Sequence, residues 1–238
     1  MFTITTHSSL QTPFILHEES GFVTDTPTMR VCLIHFDSHY YQDALFEILS
    51  VPFAPMLQSA MIKRRAEYLA GRYAAQTLLR QQGCHDAVTM EQSRAPKWPA
   101  GWCGSISHTD NHAIAVLTRQ SAKLTPGVDI ERRCPTVMNE TAHVFTNLQE
   151  RSLLYHCNTE YETALLITFS AKESLYKALY PQVLQMFSFN AATICELDVQ
   201  RQRFCLQLTQ TLSPSLPAGF ELSGQYLFQG DDIITLIT

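Results

Sequence analysis

Three carboxylates and a lysine are the residues in this sequence whose types and spacing best suit chemistry. Asp129 and Glu131 stand two apart in G-V-D-I-E (127–131), just after the turn signal Pro126-Gly127. On a strand, residues two apart project from one face with Cα atoms roughly 6.5–7 Å apart. Val128 and Ile130 then bury the opposite face. Two carboxylates at that spacing can hold one hard cation. Mg²⁺ is usually held by one or two carboxylates, with phosphate oxygens and water completing its octahedron. The plain alternative is a strand end with a solvated acidic face, which D-x-E alone does not exclude. Glu173 and Lys177 come from F-S-A-K-E-S-L-Y-K (169–177). Leu165, Phe169, Glu173 and Lys177 follow one another at i, i+4, so a carboxylate and an amine continue a partly apolar helix stripe. An exposed Glu–Lys pair at that spacing is ordinary and worth only about 0.2–0.5 kcal/mol. However, the chain has just five lysines and two of them, Lys172 and Lys177, fall here. A carboxylate on the inward side of a helix also wants a cation partner.

Two further stretches suit an anion. In G-S-I-S-H-T (104–109), a glycine, small hydroxyls and a histidine precede a strand and offer donors to a phosphate, with Ser107 and His108 the candidates. His108 and His112 share H-x-x-x-H spacing, but a turn into a strand separates them, so zinc ligation by that pair is not expected. A lone structural histidine is the alternative. In K-R-R-A-E-Y-L-A-G-R (63–72), four cations and one anion fall within ten residues. Arg64 and Arg72 are eight apart, about 80° around a helix axis, and can converge on one anion. Guanidinium forks suit phosphate; a solvated basic face is the alternative.

Elements must hold these residues in place. The pattern predicts a strand over 31–37 after an irregular N-terminal arm, a helix over 58–79 and a Pro/Gly-marked loop over 96–104. Strands are expected over 112–118 and 127–130, with helical stretches around 139–157. A longer helix over 159–179 follows, with Thr159 and Glu162 as a capping box and Pro181 as its stop. Strands over 193–199, 203–209, 220–228 and 232–237 complete the chain, with Pro214, Pro217 and Gly219 in the turn between two of them. The order favours an α+β fold of two similar halves, 1–121 and 122–238, over a doubly wound sheet. Within 183–189 (VLQMFSF), Met186, Phe187 and Phe189 could face a partner, but core strand residues are the expected reading.

Composition bounds the rest. With 45% hydrophobic and 16% charged residues among 238, the chain has a real core and is not disordered. A net charge of −5 and a pI of about 6.0 exclude a polyanion-binding surface of the nucleic-acid type. The charge is uneven: residues 1–60 carry −5, 61–133 carry +5 and 134–238 carry −5. A cationic middle in an acidic chain suits an anionic small ligand, and ordinary fluctuation of charge along a chain is an equal alternative. Seven scattered cysteines with no C-x-x-C point to a reducing compartment rather than a disulfide framework. With no signal-peptide pattern and no apolar run near 20 residues, a soluble cytoplasmic protein is expected.

Taken in order, K-R-R-A-E-Y-L-A-G-R, R-A-P-K-W-P-x-G-x-x-G-S-I-S-H-T, G-V-D-I-E and F-S-A-K-E-S-L-Y-K-A resemble the 4′-phosphopantetheinyl transferases, most nearly those of the enterobactin-synthase type. The likeness covers about Lys63 to Leu179, roughly half of the chain. It implies transfer of the phosphopantetheine arm of coenzyme A to a serine of an apo acyl, peptidyl or aryl carrier protein, releasing adenosine 3′,5′-bisphosphate. It also implies two similar α+β halves with coenzyme A in the cleft between them. By residue, it makes Asp129, Glu131 and Glu173 ligands of Mg²⁺, with Asp129 also at the coenzyme A site. Glu173, alone or through a metal-bound water, becomes the base for the serine, and Lys177 meets the departing phosphate. Ser107 and His108 become phosphate contacts, while Arg64, Arg72 and Arg94 surround the 3′-phosphate and adenine. The register among Lys63, Arg64 and Arg65 stays open. The nucleophile belongs to the partner, and no nucleic acid, membrane span or second copy of the chain is called for. Two other readings remain: a Mg²⁺-dependent nucleotide phosphohydrolase, and a catalytically silent module that binds coenzyme A or a carrier.

Overall fold

Residues 26–36 and 112–119 are rich in Val, Ile and Leu and hold continuous buried runs, Val31–Ile34 and Ala113–Leu117, which suits strands at the centre of a sheet. The computed structural model describes residues 1–8, 12–120 and 125–238. It divides into two compact units, Met1–Pro126 and Gly127–Thr238. The boundary expected at 121/122 lies outside the described residues.

The first unit holds strands β1 (Phe2–Ser8), β2 (Ile15–Val23), β3 (Thr26–Phe36), β4 (Thr89–Met90), β5 (Pro96–Lys97), β6 (Trp102–His108) and β7 (His112–Arg119). Five form an antiparallel sheet in the order β1-β2-β3-β7-β6, while β4 and β5 form a small hairpin. Helix α1 (Leu45–Ile48) is a single turn, and α2 (Ile62–Gln81) lies across β3 and β7. Leu69, Leu78 and Leu79 of α2 pack in one core with Cys32, Ile34, Ala113, Ala115 and Leu117.

Two expectations fail here. The N-terminal arm is not irregular: it forms β1 and β2. Their Thr, Ser, His and Glu residues hide the alternation, because β1 stays half exposed and β2 buries polar Glu18 and Ser20. The presumed loop over 96–104 contains β5 and the start of β6. Gly104 marks a close approach rather than a turn, since a Cβ there would lie 2.2 Å from the Val116 carbonyl oxygen and 2.7 Å from the Trp98 ring. The β1–β2 pair also carries an irregularity between Ile4 and Thr6, so Thr5 is an extra residue in the ladder.

The second unit runs β8 (Gly127–Arg132), α3 (Pro135–Phe145), α4 (Leu148–Tyr155), α5 (Tyr161–Val183), β9 (Ala192–Asp198), β10 (Arg203–Leu208), β11 (Glu221–Gln229) and β12 (Asp232–Ile237). The sheet is antiparallel in the order β8-β12-β11-β10-β9, and α5 lies on β8 and β12. Helices and antiparallel strands in two sheet-bearing halves give the expected α+β class. The capping box sits elsewhere than expected. Asn147 and Glu150 form it at the start of α4, whereas α5 starts from Glu160 without a side-chain cap. Pro181 lies inside the last turn of α5, which ends at Leu184 in a left-handed conformation with φ of 54°. Residues 184–186 and 188 then run exposed rather than as a core strand, with Met186 85% exposed, while Phe187 is half-buried. Among the described residues, no helix is long and apolar enough to cross a membrane.

Candidate active site

The charged group of the second unit is built where α5 crosses β8. Gly127 makes the crossing close, because a Cβ there would sit 1.9 Å from the Ser174 carbonyl oxygen. The contact surface is then a polar seam. Ser170 Oγ donates to Asp129 Oδ2 at 2.8 Å and lies 2.9 Å from Thr235 Oγ1, which is 2.6 Å from Ser174 Oγ. Asp129 is only 2% exposed, and Lys177 Nζ reaches its Oδ1 at 2.6 Å. Glu131, two residues along the same strand face, has its carboxyl pushed up to about 8, first by burial and then by the neighbouring Asp129 charge. Burial, then the same Asp129 charge, also raises Glu173. Lys177 opposes both shifts.

This donor set suits a divalent cation. Glu131 and Glu173, partly withdrawn from water beside the Asp129 charge, are both raised, and one ammonium cannot neutralise three carboxylates. Hard oxygen donors of this kind suit Mg²⁺, Ca²⁺ or Mn²⁺. Among the described residues these carboxylates are not gathered within 4.8 Å of one another, and Lys177 sits on Asp129.

Of the two lysines noted in the sequence, Lys172 belongs to the scaffold. Its buried ammonium lies 2.7 Å from Glu150 Oε1 and donates to the carbonyls of Phe145 at 2.8 Å and Phe189 at 3.3 Å. Glu150 also accepts from the backbone of Asn147 and Ile194. Sequence reasoning missed this pair, and it missed Ser170. It also did not foresee the pocket of about 390 Å³ beside Glu173, walled by Val144, Leu175, Tyr176, Met186, Phe187 and Phe189. Tyr176 shapes it, with its ring 4.9 Å from that of Phe187 and its hydroxyl 3.0 Å from Met186 Sδ.

In the first unit, α2 and β6 bring Arg64 and His108 together, with Arg64 Nη1 and His108 Nε2 2.5 Å apart. Glu67 Oε2 lies 3.6 Å from each of them and was not foreseen as part of this group. Burial raises the Glu67 carboxyl, and the Arg64 and Lys63 charges partly offset that. The geometry separates the three adjacent cations. Arg65 turns to Asp43 at 2.9 Å and to the Ala60 carbonyl, and Lys63 meets Asp110 at 2.5 Å, leaving Arg64 on His108.

The other anion candidates are dispersed. Strand alternation sends Ser107 to the face opposite His108, so the two do not act on one point of the sheet. Arg72 is only 7% exposed, with its guanidinium 4.8 Å from the Tyr68 ring and one bond to the Thr89 carbonyl at 3.2 Å. Its Nε is buried without a hydrogen-bond partner, and burial lowers its pKa. The Arg64 charge acts in the same direction, so these two cations lie within electrostatic reach of each other. Arg94 sits exposed on the turn of the β4–β5 hairpin with φ of 71°.

Known proteins match both units. Residues 54–118 match the family model of the 4′-phosphopantetheinyl transferase N-terminal domain, and residues 125–224 match that of the 4′-phosphopantetheinyl transferase superfamily. Enterobactin synthase component D of Salmonella typhi is 33% identical over 210 residues, covering 88% of this chain and 86% of the relative. The Salmonella typhimurium protein of the same name is 37% identical over 71% of this chain and 69% of its own. The 4′-phosphopantetheinyl transferase PptT of Mycobacterium tuberculosis is 29% identical over 59% of this chain and 62% of its own. With both units matched and likeness running over most of its length, the chain belongs to the 4′-phosphopantetheinyl transferase superfamily.

Proposed function

We propose that this enzyme transfers phosphopantetheine from coenzyme A to carrier domains of siderophore assembly, and that Asp129, Glu131, Glu173 and Lys177 do the chemistry. The observation that supports this most is the charged group of β8 and α5, set beside an apolar pocket that Glu173 helps to line. The carrier serine oxygen attacks the phosphorus that bears the pantetheine arm, and the bond from that phosphorus to the bridging oxygen breaks. Adenosine 3′,5′-bisphosphate leaves. Glu173, its basicity raised by burial and by Asp129, takes the serine proton on a carboxylate oxygen. Lys177 releases Asp129 and donates to the departing phosphate oxygen.

Asp129, Glu131 and Glu173 would hold Mg²⁺, which when bound supplies neutralisation of the pyrophosphate. Arg64 and His108 would take a phosphate of the nucleotide, Glu67 holding their side chains in place. Arg72, with its buried Nε lacking a partner, would read the 3′-phosphate, with Arg94 beside the adenine and Ser107 as a further phosphate contact. The apolar wall of Met186, Phe187 and Phe189 would take the pantetheine arm or the carrier surface next to it.

The deciding experiment incubates the protein with coenzyme A, Mg²⁺ and apo aryl, peptidyl and acyl carriers, then weighs each carrier. A phosphopantetheine adduct is expected on a siderophore-synthase carrier. Release of adenosine 3′,5′-bisphosphate without carrier modification would instead indicate hydrolysis. Coenzyme A binding with neither product would indicate a silent module.

A further inference from the structure

The first unit carries a second group of ligand-type side chains, on the sheet face opposite α2. Among the described residues, His7, His17 and Glu19 are the three whose ligand atoms all lie within 4.8 Å of one another. The strand ladder dictates this meeting. His7 on β1 is paired directly with Glu19 on β2, and His17 lies two residues before Glu19 on the same face. The irregularity at Thr5 makes the pairing possible. Before it, the ladder pairs Phe2 with Val23 and Ile4 with Gly21; after it, His7 meets Glu19. Without the extra residue, His7 would stand opposite Glu18. That side chain is buried on the helix side of the sheet, where it accepts from Tyr73 Oη at 2.8 Å.

We infer that His7, His17 and Glu19 form a binding site for a borderline divalent transition ion of the Zn²⁺ class, separate from the phosphopantetheinyl transfer site. Two imidazoles and one carboxylate are donors suited to such an ion, with a fourth position left to water. The spacing also agrees. Tetrahedral ligands at about 2.0–2.1 Å from zinc stand roughly 3.3–3.4 Å from one another. Glu19 Oε1 lies 3.3 Å from His7 Nδ1 and 3.4 Å from His17 Nε2. Simple ion pairing explains the arrangement less well, because His7 and His17 side chains are 61% and 45% exposed and pairs that wet contribute little. The backbone holds both strands in register, so little ordering is left for the metal to impose. His35 and His112 extend the same cross-strand row, their rings stacked at 4.7 Å. This second site differs from the carboxylates of β8 and α5 in kind: imidazoles favour Zn²⁺, all-oxygen donors favour Mg²⁺.

The test titrates metal-stripped full-length protein with Zn²⁺ by calorimetry, and repeats it on H7A, H17A, E19Q and the double variant H7A/H17A. Wild type is expected to bind one Zn²⁺ with a higher melting temperature when loaded. Each histidine variant should weaken binding by at least about 100-fold, beyond what loss of an outer partner costs, and E19Q by at least about 10-fold. Mg²⁺-supported transfer to a carrier should be unchanged in all four variants, so Zn²⁺ binding is read apart from the transfer reaction. Wild-type Zn²⁺ affinity in H7A/H17A, or no stoichiometric Zn²⁺ site in the wild type, overturns the proposal.

Discussion

Lys177 Nζ stands 2.6 Å from Asp129 Oδ1, joining residues 48 apart in sequence across the α5–β8 contact. The most buried carboxylate of the group thus has its own cation, while Glu131 and Glu173 are held with raised pKa. Were the nucleotide and Mg²⁺ bound as proposed, a phosphate would compete with Asp129 for the ammonium, and the cation would compete with Lys177 for the carboxylate.

Lys177→Met separates the two roles of the lysine. Asp129 keeps Ser170 as a donor but loses its charge partner at 2% exposure. Stability should fall by about 1–3 kcal/mol in urea unfolding, because one side of a largely buried pair is left unmatched. Transfer should fall by about 10²–10⁴-fold, the range of a lost general acid. An unaltered unfolding midpoint would refute the structural part, and an unaltered rate the catalytic part.

The pH dependence has a definite sign. Burial and the Asp129 charge push the Glu131 carboxyl from 4.5 up to about 8, so between those values the folded chain binds a proton that the unfolded chain has released. Stability therefore falls as pH rises through that window, and the contribution is complete only below the unfolded value. In metal-free protein, the wild type should lose stability relative to Glu131→Gln between about pH 5 and pH 8. Mg²⁺ should restore more stability near pH 8 than near pH 6, since its binding must expel the same proton. Parallel stability–pH curves for wild type and E131Q would contradict this.

Lys172→Ala should damage the fold rather than the chemistry. It strips Glu150 of its charge partner inside the second unit and leaves the carbonyls of Phe145 and Phe189 without that donor. A loss of about 3–5 kcal/mol is expected from denaturant titration, the range for breaking one side of a buried ion pair. Adding Glu150→Gln, which removes the unpaired charge while the amide oxygen still accepts a backbone N–H, should recover part of it. Equal losses in the single and double variants would show that the ion pair is not the cause.

Arg64 and Arg72 should respond differently. The Arg64 side chain is 54% exposed and touches His108, so Arg64→Ala should raise the KM for coenzyme A with little change in melting temperature. Arg72 is buried against Tyr68, so Arg72→Ala should lower the melting temperature as well. It should also weaken coenzyme A more than 3′-dephospho-coenzyme A. Equal losses with the two cosubstrates would remove the 3′-phosphate from Arg72.

The parts of this fold legible in sequence are those whose signal is local. The last four strands fall within about two residues of expectation, because each is a short run rich in apolar residues between clear turn signals. Strand and helix periods place Asp129 with Glu131 on one face and Glu173 with Lys177 on another, but the roles expected of them come from the likeness to the transferase family. What stayed hidden depends on distant partners. Nothing near Lys172 announces Glu150, 22 residues earlier, and so the sequence does not tell which of two helical lysines is structural. Ser107 and His108 read as one motif, but neighbours on a strand point to opposite faces. The 183–189 segment looked like core because apolar residues usually are, yet past the left-handed end of α5 Leu184 and Met186 are exposed and Phe187 and Phe189 only half-buried.

Gly127 bears on more than packing. With a hydrogen where any other residue has carbon, it sets β8 so near the Ser174 carbonyl of α5 that an added Cβ would lie only 1.9 Å from that oxygen. Every replacement can only widen that gap. Asp129 lies two residues beyond it and Glu173 beside Ser174, so each such change would pull one carboxylate away from the other. The spacing of the charged group is therefore variable in one direction only: mutation at this position can loosen it, and none can draw it closer.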